Sequence, residues 1–400
     1  MWERRPIMRK MKLVGLVTIA LGMLLPSISA AEEGVTDTEI VLGSQQDLSG
    51  PAVAFGVAVK NGLEMRVREI NEAGGIHGRK IKLIVEDHAY DPKKAVMLTN
   101  KMINLDKVFA FVAIFGTPTA LAVLPTMTQK KIPALFPVSL SDQFHTPLNR
   151  YSFILYASYI VQGRNIAKYF VDTKKYTKFA LMYQDDELGA EVQKGLTDQL
   201  ALYNLKLVAA EPYKRGATDF SSQIANLKKA DPQVVVLATV IRETVGALKE
   251  IRKLNWEVDV ACTSASASHY VPILSQQSGF SADGTYILSS YPDPQATDLP
   301  SLKEWAKRYQ EWFQKPPEMT CYPGYEAVHF FGVAAERAGR DLTREKLIDA
   351  LETFKDVPTP LGGPPVSFSP TSHLGSKYYF MSQIKGGKFV KISDWISYEK

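Results

Sequence analysis

The 400-residue chain contains only two cysteines, Cys262 and Cys321, too few for a disulfide framework or a four-thiolate metal site. One bridge is permitted in an oxidising compartment. Cys262 ends an apolar run and reads as a buried small side chain, so two free thiols are expected. The histidines (His77, His88, His145, His269, His329, His373) include no HExxH and no paired-ligand spacing, so neither a metal nor any other cofactor is expected. G-x-G-x-x-G is missing as well: Gly74, Gly75 and Gly78 end a helical pattern instead of opening one, which argues against a nucleotide site. No G-x-S-x-G elbow occurs, and Asp185-Asp186 without a facing acid leaves a hydrolase no visible apparatus.

An excess of one charge is also lacking. Lys and Arg number 47 against 42 Asp and Glu. Five of the basic residues (Arg4, Arg5, Arg9, Lys10, Lys12) and one acid fall in residues 1–31, so the remainder carries 42 minus 41, or +1. Basic and acidic residues are interspersed there, and no nucleic-acid partner is expected. The longest apolar run, residues 13–25, is too short to span a bilayer. Preceded by those basic residues and followed by Ser29-Ala30-Ala31, it reads as an export signal over residues 1–31. No cysteine follows it, which favours a soluble product beyond the inner membrane over a lipid-anchored one. The remaining roughly 370 residues predict two domains.

What is present is a regular alternation of strand and helix patterns, which points to an α/β fold with parallel sheets. Strands are expected at residues 40–44, 80–86, 108–115 and 134–136, with helices at 57–72, 93–105 and from the Gly116-Thr117-Pro118 turn onward. The order restarts with strands at 179–183, 205–211, 233–238 and 258–263 and helices at 187–203, 220–229 and 242–254. Two similar open sheets leave a cleft at their carboxyl ends, where such folds bind ligands. Helices at 302–313, 325–338 and 344–354 follow, then a hairpin whose turn is Lys385-Gly386-Gly387-Lys388.

The run VFAFVAIFGTPTALAVLP, residues 108–125, is the most informative: an apolar strand empties into a glycine turn and starts a helix at once. Thr117 is expected to cap that helix, with Pro118 in its first turn. The free N–H groups there suit a carboxylate. Alone, it is also what an ordinary capped turn looks like.

DLSGP at residues 47–51, Phe55-Gly56, INEAGGIHGRKIKL at 70–83, Asp91-Pro92, FGTPTALAVLP, Gln162-Gly163 and Gly324-Tyr325-Glu326-Ala327 together resemble periplasmic solute-binding proteins of the leucine/isoleucine/valine-binding family. The resemblance implies a type I periplasmic binding fold: two Rossmann-like lobes joined by three crossing segments, near residues 151–159, 286–291 and 365–374. The lobes would be residues 36–155 with 292–364, and 156–291 with 365–400. It also implies a periplasmic monomer that traps a small-molecule solute and hands it to an inner-membrane ABC permease.

Carried over by position, Phe55 would be an aromatic cleft wall and Thr117, next to Phe115 and Gly116, the hydroxyl that meets a solute carboxylate. Val138-Ser139-Leu140-Ser141 matches the loop supplying further contacts, with Val138, Ser139 and Ser141 as candidates. Tyr159 and Leu188 would line the slot, and Thr239, Ser264 and Ala265 complete the expected site. Amino-acid binders of the family use an acid for the ammonium group. The loop expected to carry it reads Ser264-Ala265-Ser266-Ala267-Ser268, and the hinge position often held by Asp is Tyr159. Asp185 and Asp186 read as solvated loop acids. A desolvated ammonium without a carboxylate is costly, so the expected solute is a carboxylate with an apolar or aromatic body. A branched-chain or other amino acid, a ligand-sensing module for a membrane receptor and an exported hydrolase are the alternatives.

Overall fold

The computed structural model describes residues 1–3 and 32–397; the expected export signal lies almost wholly outside them. Residues Glu32–Lys400 form one compact unit. Its first half runs β1 (Glu39–Gln46), α1 (Val53–Glu72), β2 (Lys80–Asp87), α2 (Pro92–Asn104), β3 (Ala110–Val112), α3 (Thr117–Gln129), β4 (Ala134–Leu135) and β5 (Ser152–Tyr156). The second half runs α4 (Tyr159–Tyr169), β6 (Phe179–Gln184), α5 (Glu187–Ala201), β7 (Leu207–Tyr213), α6 (Ser221–Lys229), β8 (Val234–Ala238), α7 (Ile241–Lys253), β9 (Asp259–Cys262), α8 (Tyr270–Gln277) and β10 (Tyr286–Ser289). Then come α9 (Pro300–Phe313), α10 (Tyr322–Ala338), α11 (Arg344–Leu351), β11 (Leu374–Ser376), β12 (Phe380–Lys385) and β13 (Lys388–Lys391).

Two sheets result, ordered β11-β5-β4-β3-β1-β2 and β13-β12-β10-β9-β8-β6-β7. The first is parallel throughout. The second is parallel except where β12 pairs with β10 and β13. Val-rich β8 is buried at every position, as a strand covered on both faces must be. In each sheet the chain turns back past its first strand, between β1 and β3 and between β6 and β8. The carboxyl ends at such a reversal open a crevice between diverging loops, and the two crevices make one interlobe cavity. Among the described residues no helix is long and apolar enough to cross a membrane.

Four helix glycines have a packing reason, and Gly163 and Gly324 among them belong to the segments that carry the family resemblance. A Cβ on Gly62 of α1 would lie 2.0 Å from the Cys321 carbonyl oxygen, and one on Gly324 of α10 2.1 Å from that of Val59. The two backbones therefore touch, which only glycine allows. Gly163 and Gly195 do the same for α4 and α5. Cys262 and Cys321 are both buried and unbridged.

Two details differ from the expectation. Helix α1 begins at Val53, so Phe55 stands on its first turn and not in a loop; Asp47 draws the chain in by accepting from the N–H groups of Gly50 and Ala52. The last crossing, expected at residues 365–374, comes after Ser376, because Leu374 and Ser376 pair with Ile154 and Tyr156 in the first sheet. The terminal hairpin joins the second sheet through β10, with Gly386 and Gly387 at φ 56° and 75° in its turn.

Candidate functional site

A cavity of about 900 Å³, solvent at its mouth included, lies between the carboxyl ends of the two sheets. From the first lobe Phe55, Phe115, Gly116, Thr117, Val138 and Ser139 line it. Tyr159, Leu188, Ser264 and Ala265 face them from the second. None of the lining residues is Asp, Glu, Lys, Arg or His.

Gly116, at φ 89°, is the N-cap of α3, and no side chain caps the helix. The expectation that Thr117 would cap it is therefore corrected: Thr117 is already the first helical residue. A Cβ at Gly116 would lie 2.3 Å from the Tyr90 ring, so glycine is needed for conformation and for space. The uncapped helix end carries partial positive charge towards the cavity. Beside it Ser139 Oγ donates to Thr117 Oγ1 at 2.9 Å, and Thr117 Oγ1 donates to Tyr159 Oη at 3.3 Å. Burial pushes the Tyr159 phenol up to about 12. It stays protonated, and the chain of hydroxyls ends in a proton still to be donated.

The body of the cavity is apolar. Phe55 meets Phe115 edge to face at 5.2 Å, and Tyr90 packs on Phe115 at 5.7 Å. Leu188 projects from the first turn of α5.

Ser141 and Thr239 fall outside the lining. Ser141 Oγ donates to Glu191 Oε1 on α5, and the Asp142 amide donates to Glu191 Oε2 at 2.9 Å. Thr239 turns its hydroxyl to Thr244 Oγ1 at 2.5 Å, and its carbonyl accepts from Ser266 Oγ at 2.9 Å. Those bonds hold it against α7, and Val240 reaches the cavity instead. Asp185 is exposed, but Asp186 is not the solvated loop acid expected. It caps α5 by accepting from the Leu188 amide at 3.1 Å, and burial raises its carboxyl. Gln162 serves the Ser264 loop: its Oε1 accepts from the Ser264 amide at 2.9 Å.

Sequence reasoning missed Tyr90, Tyr156 and Tyr291, as well as Met319 and Thr320 just before α10. Tyr156 and Tyr291 lie on segments anticipated as lobe crossings, which was the available signal. Tyr90 sits at φ 59° after β2, and no pattern announced it.

The sequence profile described as "Periplasmic binding protein" matches residues 39–388. An "Amino acid binding protein" of Pseudomonas aeruginosa is 26% identical over 215 residues, 54% of this chain and 58% of that protein. The chain thus spans less than two thirds of that relative's length. The "Leu/Ile/Val-binding protein homolog 1" of Brucella suis is 24% identical over 85% of this chain and 90% of its own. Among solved structures, a "Fatty acid ABC transporter substrate-binding protein from Thermomonospora curvata" superposes with a TM-score of 0.82 at 23% identity, covering 92% of this chain and 95% of that one.

Proposed function

Since the chain belongs to the periplasmic binding protein family, we propose that it is the solute-capturing component of an ABC importer, taking a carboxylate with an apolar or aromatic body and no ammonium group. The observation that carries this reading is the cavity lining, which has a helix amino end and a row of hydroxyls but no Asp, Glu, Lys, Arg or His. The carboxylate would meet the amino end of α3 and accept from the Tyr159 hydroxyl, the open end of the Ser139–Thr117–Tyr159 chain. The body would lie against Phe55, Phe115 and Leu188. Apolar burial, at about 25 cal/mol per Å², would supply most of the affinity, while the anion contacts set orientation. The protein would act as a periplasmic monomer and pass its solute to a permease without chemical turnover.

A free branched-chain amino acid is the second reading, favoured by the names of the Pseudomonas and Brucella relatives. Against it stands the lack of an acid in the lining, which would leave an ammonium group desolvated and unpaired. The similarity to the Thermomonospora fatty-acid protein supports the first reading, because a fatty acid has a carboxylate and no ammonium. A thermal-shift screen separates the two. Stabilisation by medium-chain or aromatic carboxylates, with none by leucine or valine, is the expected result. Stabilisation by leucine or valine alone overturns the proposal.

A further inference from the structure

The crossing segments bring three titratable groups together at the cavity wall. Tyr156 and Tyr291 both line the cavity, with rings 5.1 Å apart and edge to face. Behind them Glu326 on α10 is fully buried. Tyr156 Oη donates to Glu326 Oε2 at 2.5 Å. Glu326 Oε1 and the Tyr291 hydroxyl are buried and make no well-aligned hydrogen bond among the described residues, although the Tyr291 hydroxyl lies close enough to Glu326 and to Tyr156 to interact with both. Buried polar atoms left unpaired are uncommon and call for a partner.

The charge state of Glu326 decides what that partner is. Burial pushes its carboxyl up to about 8, against the pull of the Tyr156 and Tyr291 hydroxyls. The other titratable groups nearby are the phenols of Tyr322, on its own helix, and Tyr379, beside Tyr291. Both are held far above their usual range by burial. Near neutrality Glu326 is therefore an uncharged acid whose own proton can go to the Tyr291 oxygen, which frees the Tyr291 proton for another acceptor. Once ionised, its free oxygen becomes a charged acceptor and takes that proton back.

We propose that Tyr291 is a specificity-determining donor for an oxo or ether oxygen that the solute carries apart from its carboxylate, with Glu326 as the positioning residue behind it. The proposal rests on the carboxylate reading above. It adds a second polar group to an otherwise apolar solute body.

Calorimetric titration of the full chain with benzoate against 4-acetylbenzoate, and hexanoate against 5-oxohexanoate, tests it. At pH 6.5 the oxo compound of at least one pair should bind about three- to tenfold more tightly than its parent acid, the size of one net hydrogen bond. That ratio should fall towards one as the pH rises through about 8 and should be near one in Tyr291→Phe at every pH. Glu326→Gln, neutral throughout, should retain the ratio and make it independent of pH, which a merely structural role would not do. Parent acids that bind, with no oxo advantage in the wild-type protein or with the advantage intact in Tyr291→Phe, overturn the proposal and leave the carboxylate reading standing. If no carboxylate binds, both fall together.

Discussion

Thr117 and Ser139 differ from the apolar residues around them because their hydroxyls are already linked, so the proposed anion would complete a chain instead of starting one. Ser139 donates to Thr117 and Thr117 to Tyr159, which orients the last phenolic proton before any solute arrives. Thr117→Val keeps the shape but breaks this chain in the middle. Because Thr117 acts on the anion through Tyr159, its expected effect is a loss of about 0.5–1.5 kcal/mol of carboxylate affinity, the usual net worth of one hydrogen bond. Titration with the stabilising carboxylate measures it, and an unchanged affinity shows that the chain does not orient the Tyr159 donor. Thr117 was legible because a glycine turn between an apolar strand and a helix is a local pattern. Glu326 was visible only as part of a family motif, because its role depends on Tyr156 and Tyr291, residues remote in sequence that the fold alone brings to it.

Between elements, a buried charge cluster ties the second lobe to the segment ahead of α10. His269, the residue before α8, holds Asp293 Oδ1 through Nε2 at 2.9 Å, and its backbone amide donates to Glu318 Oε1 at 3.0 Å. Asp293 Oδ2 in turn accepts from the Phe389 amide in β13 at 2.9 Å. Burial alone would push the imidazole down, but the two carboxylates outweigh it and raise it to about 10. A raised histidine contributes stability that is complete below its unfolded value near 6.5 and lost as pH climbs through its folded value. The contribution should therefore fade between about pH 6.5 and 10. His269→Ala should cost about 3–5 kcal/mol in urea unfolding at pH 6, because it strands two buried acids. The deficit relative to wild type should shrink by pH 10; a deficit that is flat with pH, or below about 1 kcal/mol at pH 6, counts against a charged cluster. The order of strands and helices was readable from periodicity and turn residues. This cluster was not, because its members at positions 269, 293 and 318 lie in three separate loops that only the fold brings together.

At the scale of the whole molecule, the lobes meet around the cavity through a few polar contacts, and one of them titrates in a useful range. Glu191 of α5 accepts from the Ser141 hydroxyl and the Asp142 amide across the cleft. The titratable side chains beside it are Asp142 and His145, themselves 3.3 Å apart. Burial pushes the Glu191 carboxyl up to about 7, against the hydrogen bonds from Ser141 and the Asp142 amide. If the lobes part, Glu191 meets water and its pKa falls back towards the usual value near 4.3. The closed form then holds more protons than the open one between roughly pH 4.3 and 7, so closure is favoured as the pH drops through that window. Solute binding that closes the lobes should take up a proton there. Calorimetry at pH 6 in two buffers of different ionisation enthalpy should report a fractional uptake in the wild-type protein and almost none in Glu191→Gln. Affinity should also tighten from pH 7.5 to 5.5 in the wild type and change less in the variant. Equal uptake in the two proteins would assign the proton to another group and leave the Glu191 contact a passive part of the lobe interface.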